Sequence, residues 1–104
     1  MKIQERREGK WQILEVAGRV DSLTAPQLDA AFKQLVDDGG RWLKLDLSGM
    51  EYLSSAGLRI LLATLKAVRA QDGDLQLYSP RDNVRSVLEI SGFSDLFTIG
   101  DPES

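Results

Sequence analysis

Two serines in succession, Ser54 and Ser55, stand between an apolar stretch ending at Leu53 and a run that opens Ala56-Gly57-Leu58 and continues with helical periodicity. A serine at a helix start ordinarily accepts a hydrogen bond from one of the first backbone N–H groups, which have no partner inside the helix. One hydroxyl suffices for that. With Ser54 as the cap, Leu53 and Leu58 fall at the two positions of a hydrophobic staple. With Ser55 as the cap, the first of those positions would be the polar Ser54. The pattern assigns Ser54 to the cap and leaves Ser55 at the first helical position, its hydroxyl under no backbone obligation. A phosphate on that hydroxyl would lie at the positive end of the helix dipole, which favours it by up to about 1 kcal/mol. Charge can be added there without unfolding the domain.

The rest of the composition narrows the chemistry. The chain has 104 residues, a formal net charge of -3, and neither histidine nor cysteine. Without histidine the usual general base, the commonest metal ligand and a phosphohistidine relay are all missing. Without cysteine there is no disulfide framework, thiolate metal site or thiol nucleophile. The serine pair lacks the Gly-x-Ser-x-Gly form of a hydrolase, and no Gly-Lys-Ser/Thr phosphate loop is present. The chain is therefore expected to be a binding module and not an enzyme, with no catalytic residue, no metal and no cofactor. A negative net charge argues against nucleic acid, which needs a basic face. No apolar run approaches the roughly 20 residues that span a bilayer, so no membrane insertion is expected and a cytoplasmic location is. A protein is the expected partner.

The elements that must position the serines follow from periodicity. Residues 1–7 and 11–17 fit the strands of a hairpin with a tight turn at 8–10, and 18–22 read as a polar loop. Thr24, Pro26 and Gln27 match a capping box, with Leu23 and Leu28 as its staple, opening a helix whose apolar set is Leu28, Ala31, Phe32, Leu35 and Val36. Leu43, Leu45 and Leu47 alternate with Lys44 and Asp46 in a strand, and residues 48–53 lead into the serines as a loop. Leu58, Leu61, Leu62, Leu65 and Val68 form a leucine seam on the following helix. Residues 74–78 alternate as another strand. Pro80 and Asp82 mark a third helix start, with Val84, Val87, Leu88 and Ile90 on its apolar face and Gly92 ending it. Residues 93–99 fit a last short strand, and 100–104 a frayed tail. Trp11 and Trp42 begin their strands and are expected to pack at the end opposite the serines.

Strand and helix alternating with short connections predict a single α/β domain over residues 1–104. It should have a mixed, mostly parallel β-sheet, an N-terminal β-hairpin and helices packed mainly on one face. In such sheets sites form in the loops after the carboxyl ends of parallel strands. That rim should carry Asp21, Ser22, Ser48, Glu51, Ser54, Ser55 and Ser79. Asp21 is expected to shape its loop through an Asx-type bond or to meet the partner, and Asp46 to support the serine loop.

The run from Leu45 to Arg59, Leu-Asp-Leu-Ser-Gly-Met-Glu-Tyr-Leu-Ser-Ser-Ala-Gly-Leu-Arg, together with Gly18-Arg19-Val20-Asp21 before it and Ile90-Ser91-Gly92-Phe93 after it, resembles the STAS domain of bacterial anti-sigma factor antagonists. The resemblance implies that the unphosphorylated domain binds an anti-sigma factor that is also a serine kinase and so releases a sigma factor. It further implies that phosphorylation of Ser55 reverses this and that a phosphatase resets it. Asp21, Ser22, Glu51, Ser54, Ser55, Gly57 and Arg59 would form the partner-binding surface. The family usually has Asp before the phosphoacceptor, where this chain has Ser54, which keeps the cap but removes a charge. The alternative that the resemblance leaves open is a STAS scaffold or accessory subunit, of a transporter or a stress-signalling complex, that is never phosphorylated.

Overall fold

The computed structural model describes residues 1–100. Strands β1 (Lys2–Glu8) and β2 (Trp11–Val20) form the hairpin, α1 (Ala25–Asp37) follows, and β3 (Trp42–Asp46) and β4 (Met50–Leu53) lead into α2 (Ser55–Arg69). Then come β5 (Asp74–Tyr78), α3 (Asp82–Ile90), a 3-10 turn at Phe93–Asp95 and the short β6 (Ile99–Gly100). The six-stranded sheet has the order β1-β2-β3-β5-β6, antiparallel between β1 and β2 and parallel elsewhere, with β4 paired to β2 off that path. The expected α/β architecture is what forms.

Alternation decides which face is covered. Leu43, Leu45 and Leu47 of the β3 segment are fully buried and join Leu14, Val16, Leu75 and Leu77 under the helices. From the helices, Leu28, Phe32 and Leu35 of α1, Leu61, Leu65 and Val68 of α2, and Val84 and Leu88 of α3 enter the same core. The intervening residues Trp42, Lys44 and Asp46 point to the opposite face, which has no helix. That face is closed by its own side chains. Trp11 and Trp42 meet edge to face at 5.6 Å, Lys10 lies 3.8 Å from the Trp42 ring centre, and Lys44 sits between Trp11 (4.8 Å) and Tyr78 (4.9 Å). Long aliphatic stems over rings shield apolar area while keeping the ammonium groups in water.

Several boundaries differ from expectation. β2 continues to Val20 because its last residues find a new partner: Gln12–Glu15 pair with β3, whereas Gly18–Val20 pair with β4, across a register shift at Gly18/Arg19. Residues 50–53, expected as loop, are thus a strand. Their short polar segment Glu51-Tyr52 between buried Met50 and Leu53 carries too little alternation to announce one. The change of partner needs glycine twice. Gly18 has φ +105°, and a Cβ on Gly49 would lie 3.1–3.2 Å from Ala17 and the Val16 carbonyl oxygen.

At the other end, α3 starts after Pro80, with Arg81 as an N-cap that makes no side-chain capping bond, and Ile90 is 87% exposed instead of core-facing. Gly92 does terminate that helix, in the left-handed region. The expected strand over 93–99 is mostly the 3-10 turn, whose Phe93 stacks on Phe97 at 6.0 Å. Gly100 is paired in β6, and the rest of the expected tail, 101–104, lies outside the described residues.

Leu45 is 0% exposed at the centre of the sheet, so Leu45→Ala is expected to lower the unfolding free energy by about 2–5 kcal/mol, read from the midpoint of urea denaturation.

Candidate functional site

The double serine resolves into two roles. Ser54 has extended backbone (φ -89°, ψ 171°) and its hydroxyl oxygen accepts from the Gly57 N–H at 3.3 Å. Its own N–H donates to the Val20 carbonyl at 2.9 Å, tying the helix start to the end of β2. Ser55 is the first residue of α2 and is exposed, and among the described residues its hydroxyl has no hydrogen-bond partner. Cap and free hydroxyl fall as the staple pattern requires, with Leu53 buried and Leu58 partly buried against the core.

Gly57 is a packing necessity. A Cβ there would approach Leu53 Cδ1 to 2.6 Å and Val20 Cγ1 to 2.9 Å, so the first turn of α2 lies directly on the ends of two strands. Those strands are β2 and β4, and the close approach sets where Ser55 emerges.

Asp21 behaves as an Asx turn. Its Oδ1 accepts from the Leu23 N–H (2.9 Å) and the Thr24 N–H (3.1 Å), while the Thr24 hydroxyl donates to the Arg19 carbonyl (2.7 Å) and accepts from the Asp21 N–H (2.9 Å). The two backbone donors, Thr24 first and Leu23 second, hold the Asp21 carboxyl below its ordinary pKa, and the charge of Arg19 adds to this. The expected capping box forms at Asp21 and not at Thr24: the Asp21 carboxylate accepts from the Leu23 and Thr24 N–H groups and the Thr24 hydroxyl accepts from the Asp21 N–H, while Thr24 has helical and not extended backbone and makes no side-chain cap bond of its own. Leu23, expected to staple against Leu28, is turned outward and 88% exposed.

The other predicted residues divide between two surfaces. Ser22 and Arg59 line an open cleft of about 330 Å³ between the starts of α1 and α2, with Ala25, Pro26, Ala56 and Ile60 as its apolar walls. Arg59 is exposed and has no ion pair among the described residues. Glu51 is exposed on β4 outside that cleft, and its backbone carbonyl accepts from Asn83 Nδ2 at 2.7 Å. Ser48 and Ser79, expected on the same rim as Ser55, instead line shallow depressions of the helix-free sheet face, as does Asp46. Asp46 supports the turn into β4 by accepting from the Ser48 N–H at 2.9 Å, and strand parity turns its carboxylate away from Ser55.

Periodicity did not reveal the groups that brace this rim. Arg19 lies over the Tyr52 ring at 4.3 Å as its direct cross-strand neighbour, a pairing that exists only because β4 joins β2. Arg81 Nε donates to the Ser48 carbonyl at 2.9 Å, so the start of α3 holds the β3–β4 turn, as Asn83 holds β4.

With this geometry in view, comparison with known proteins is decisive. The family model described as "Mlab, STAS domain" matches residues 3–98. This chain belongs to the STAS domain family. Among curated relatives, BtrV of Bordetella bronchiseptica, assigned as an anti-sigma factor antagonist, is 44% identical over 82 residues, covering 79% of this chain and 71% of that protein. The anti-sigma-B factor antagonist of Staphylococcus aureus is 28% identical over 101 residues, 97% of this chain and 94% of that one. The Bacillus anti-sigma factor antagonist SpoIIAA shares the fold. Its unphosphorylated form superposes with TM-score 0.83 at 18% identity, over 98% of this chain and 90% of that one. Its phosphorylated form gives 0.75 at 17% identity, over 98% and 94%. As a STAS domain of the anti-sigma factor antagonist group, the chain is a regulatory, protein-binding domain by family. None of its described helices is long and apolar enough to cross a membrane.

The division of labour between the serines is measurable. Ser54→Ala is expected to cost about 1 kcal/mol of stability, and Ser55→Ala to stay within about 0.5 kcal/mol of the unaltered protein, both from urea denaturation. The Asp21 turn has a pH signature. A carboxyl whose pKa is depressed on folding contributes stability at neutral pH that is lost as pH falls through its folded-state value. The difference in melting temperature between the unaltered protein and Asp21→Ala is therefore expected to be largest near neutrality and to shrink below about pH 4. A gap that stays constant down to pH 2 would show that the carboxylate charge plays no part.

Proposed function

We propose that this protein is a phosphorylation-controlled antagonist: unphosphorylated, it binds an anti-sigma factor that is also a serine kinase and thereby frees a sigma factor, and phosphorylation of Ser55 ends the binding. The observation that carries this is the separation of the two hydroxyls. Ser54 alone satisfies the helix start, and Ser55 is left exposed and unengaged, next in the chain to Ala56, which lines the α1–α2 cleft. The family membership and the names of the relatives support an anti-sigma factor as partner. SpoIIAA, of the same fold, has been solved both with and without phosphate.

Asp21, Ser22, Glu51, Ser54, Ser55, Gly57 and Arg59 are the residues assigned to the binding surface, in unequal ways. Ser22, Ser55 and Arg59 would touch the partner, and Glu51 would flank them. Asp21, Ser54 and Gly57 would hold the backbone that presents these groups. Phosphate at Ser55 adds roughly -1.5 to -2 charge where a desolvated contact would otherwise form. A charge buried without a partner in an interface costs several kcal/mol, while exposed at a helix N-terminus it is tolerated. The switch therefore acts on binding and not on folding. A phosphatase would restore the binding form, and a cytoplasmic setting follows from a sigma factor as the ultimate target.

The protein should be used as bait, with and without ADP or ATP, as the unaltered chain, Ser55→Ala and Ser55→Asp. Ser55→Asp is expected to lose a kinase-like anti-sigma factor while keeping its circular dichroism spectrum and melting temperature. Ser55→Ala should retain that partner even after incubation with ATP. Intact-mass analysis of protein from its native cells should show a species about 80 Da heavier, one phosphate. Normal binding by Ser55→Asp, with no heavier species under any growth condition, would overturn the switch in favour of a permanent scaffold interface.

A further inference from the structure

Arg59 stands four residues after Ser55, and both belong to α2. At that separation two side chains share one face of a helix, with Cβ atoms about 5–6 Å apart. Their order matters as well. An anion one turn N-terminal to a cation is the better arrangement, since helical side chains lean toward the N-terminus and carry a long group at the later position back over the earlier one. The Arg59 guanidinium can reach a group on the Ser55 hydroxyl without any change of backbone.

Arg59 is also the uncommitted cation of this region. Residues 55–58 carry no charge, and the other cations of α2, Lys66 and Arg69, lie three turns or more beyond Ser55. Arg19 lies over Tyr52, and Arg81 donates to the Ser48 carbonyl. Of the residues lining the α1–α2 cleft with Arg59, the one carboxylate is Asp29, and it pairs with Lys33 at 2.9 Å. Arg59 itself is exposed and has no ion pair among the described residues.

Resting on the phosphorylation of Ser55 put forward above, we propose that Arg59 is the clasp of that phosphate. In the unphosphorylated chain the guanidinium stands at the cleft, open to a carboxylate of the anti-sigma factor. Once Ser55 carries a phosphate, the guanidinium turns back by one helical turn, and its planar fork donates to two phosphate oxygens. The surface loses its positive group and gains a negative one, because a single guanidinium offsets only part of a charge of roughly -1.5 to -2. Phosphorylation thus withdraws a contact in addition to creating a repulsion.

The test needs no kinase. The full chain is made with phosphoserine placed at position 55 during translation, in the unaltered background and with Arg59→Gln or Arg59→Lys, beside the same three chains carrying serine. In phosphorus NMR titrations the phosphate is expected to hold its second charge to lower pH with Arg59 than with Arg59→Gln. Phosphorylation should shift the melting temperature upward by about 2 °C relative to its effect in Arg59→Gln, a difference that shrinks in about 1 M salt. Arg59→Lys should restore part of both effects. Identical titrations and melting shifts with Arg59 and with Arg59→Gln would refute the clasp.

Calorimetry with the anti-sigma factor recovered in the capture experiment above separates the clasp from the switch. Unphosphorylated Arg59→Gln is expected to bind about two- to fivefold more weakly, and equal binding would show that Arg59 makes no contact to withdraw. If the phosphorylated chain fails to bind while its titration is unmoved by Arg59→Gln, the clasp is refuted and the switch stands. If the phosphorylated chain binds as well as the unphosphorylated one, the switch is refuted, and the regulatory role of Arg59 with it.

Discussion

The placement of the two serines depends on one close approach, that of the first turn of α2 onto the ends of β2 and β4. Gly57 lets the helix backbone rest against Val20 and Leu53, and the Ser54 N–H closes the junction on the Val20 carbonyl. A side chain at position 57 would push the helix off the sheet. Because the contact is between backbone and fully buried apolar side chains, it is rigid, and rigidity at this point lets an exposed hydroxyl one residue away be presented in a fixed place.

That junction is itself a product of a change of partner in β2. Its first half lies against β3 and its last three residues against β4. The step brings Tyr52 under Arg19 and delivers Leu53 into the core at the level of Val20. The start of α3 then clamps the step from outside through Arg81 and Asn83. The serine helix thus rests on a short strand pinned on two sides, and the loop of Asp21 is braced by bonds of its own. Both halves of the rim are preorganised, as the switch proposed for Ser55, acting by added charge and not by refolding, would require.

The helix-free face of the sheet shows the opposite solution. It carries tryptophans, a tyrosine and acidic groups, but its lysines already lie on the rings, Arg6 bonds Glu15 at 2.5 Å, and Arg6 also pairs with Glu8. These groups satisfy one another.

Local sequence determined the α/β class, the three helices, most of the sheet, the termination of α3 at Gly92 and the assignment of Ser54 as cap and Ser55 as free hydroxyl. These rest on interactions within a few residues: helical spacing, strand alternation, and a staple that discriminates between two adjacent serines. Only tertiary structure decided that residues 50–53 are a strand, that Ser48 and Ser79 line the helix-free face, that Asp21 and not Thr24 caps the start of α1, and that Leu23 and Ile90 face solvent. Each of these depends on a partner distant in the chain or on competition between two bonds for one hydroxyl. A strand as short as β4 is defined by what it pairs with, and Thr24 could serve either helix or turn. Local preference allows both outcomes for Thr24, and the fold takes the one in which its hydroxyl completes the Asp21 cap and Leu23 is left in solvent.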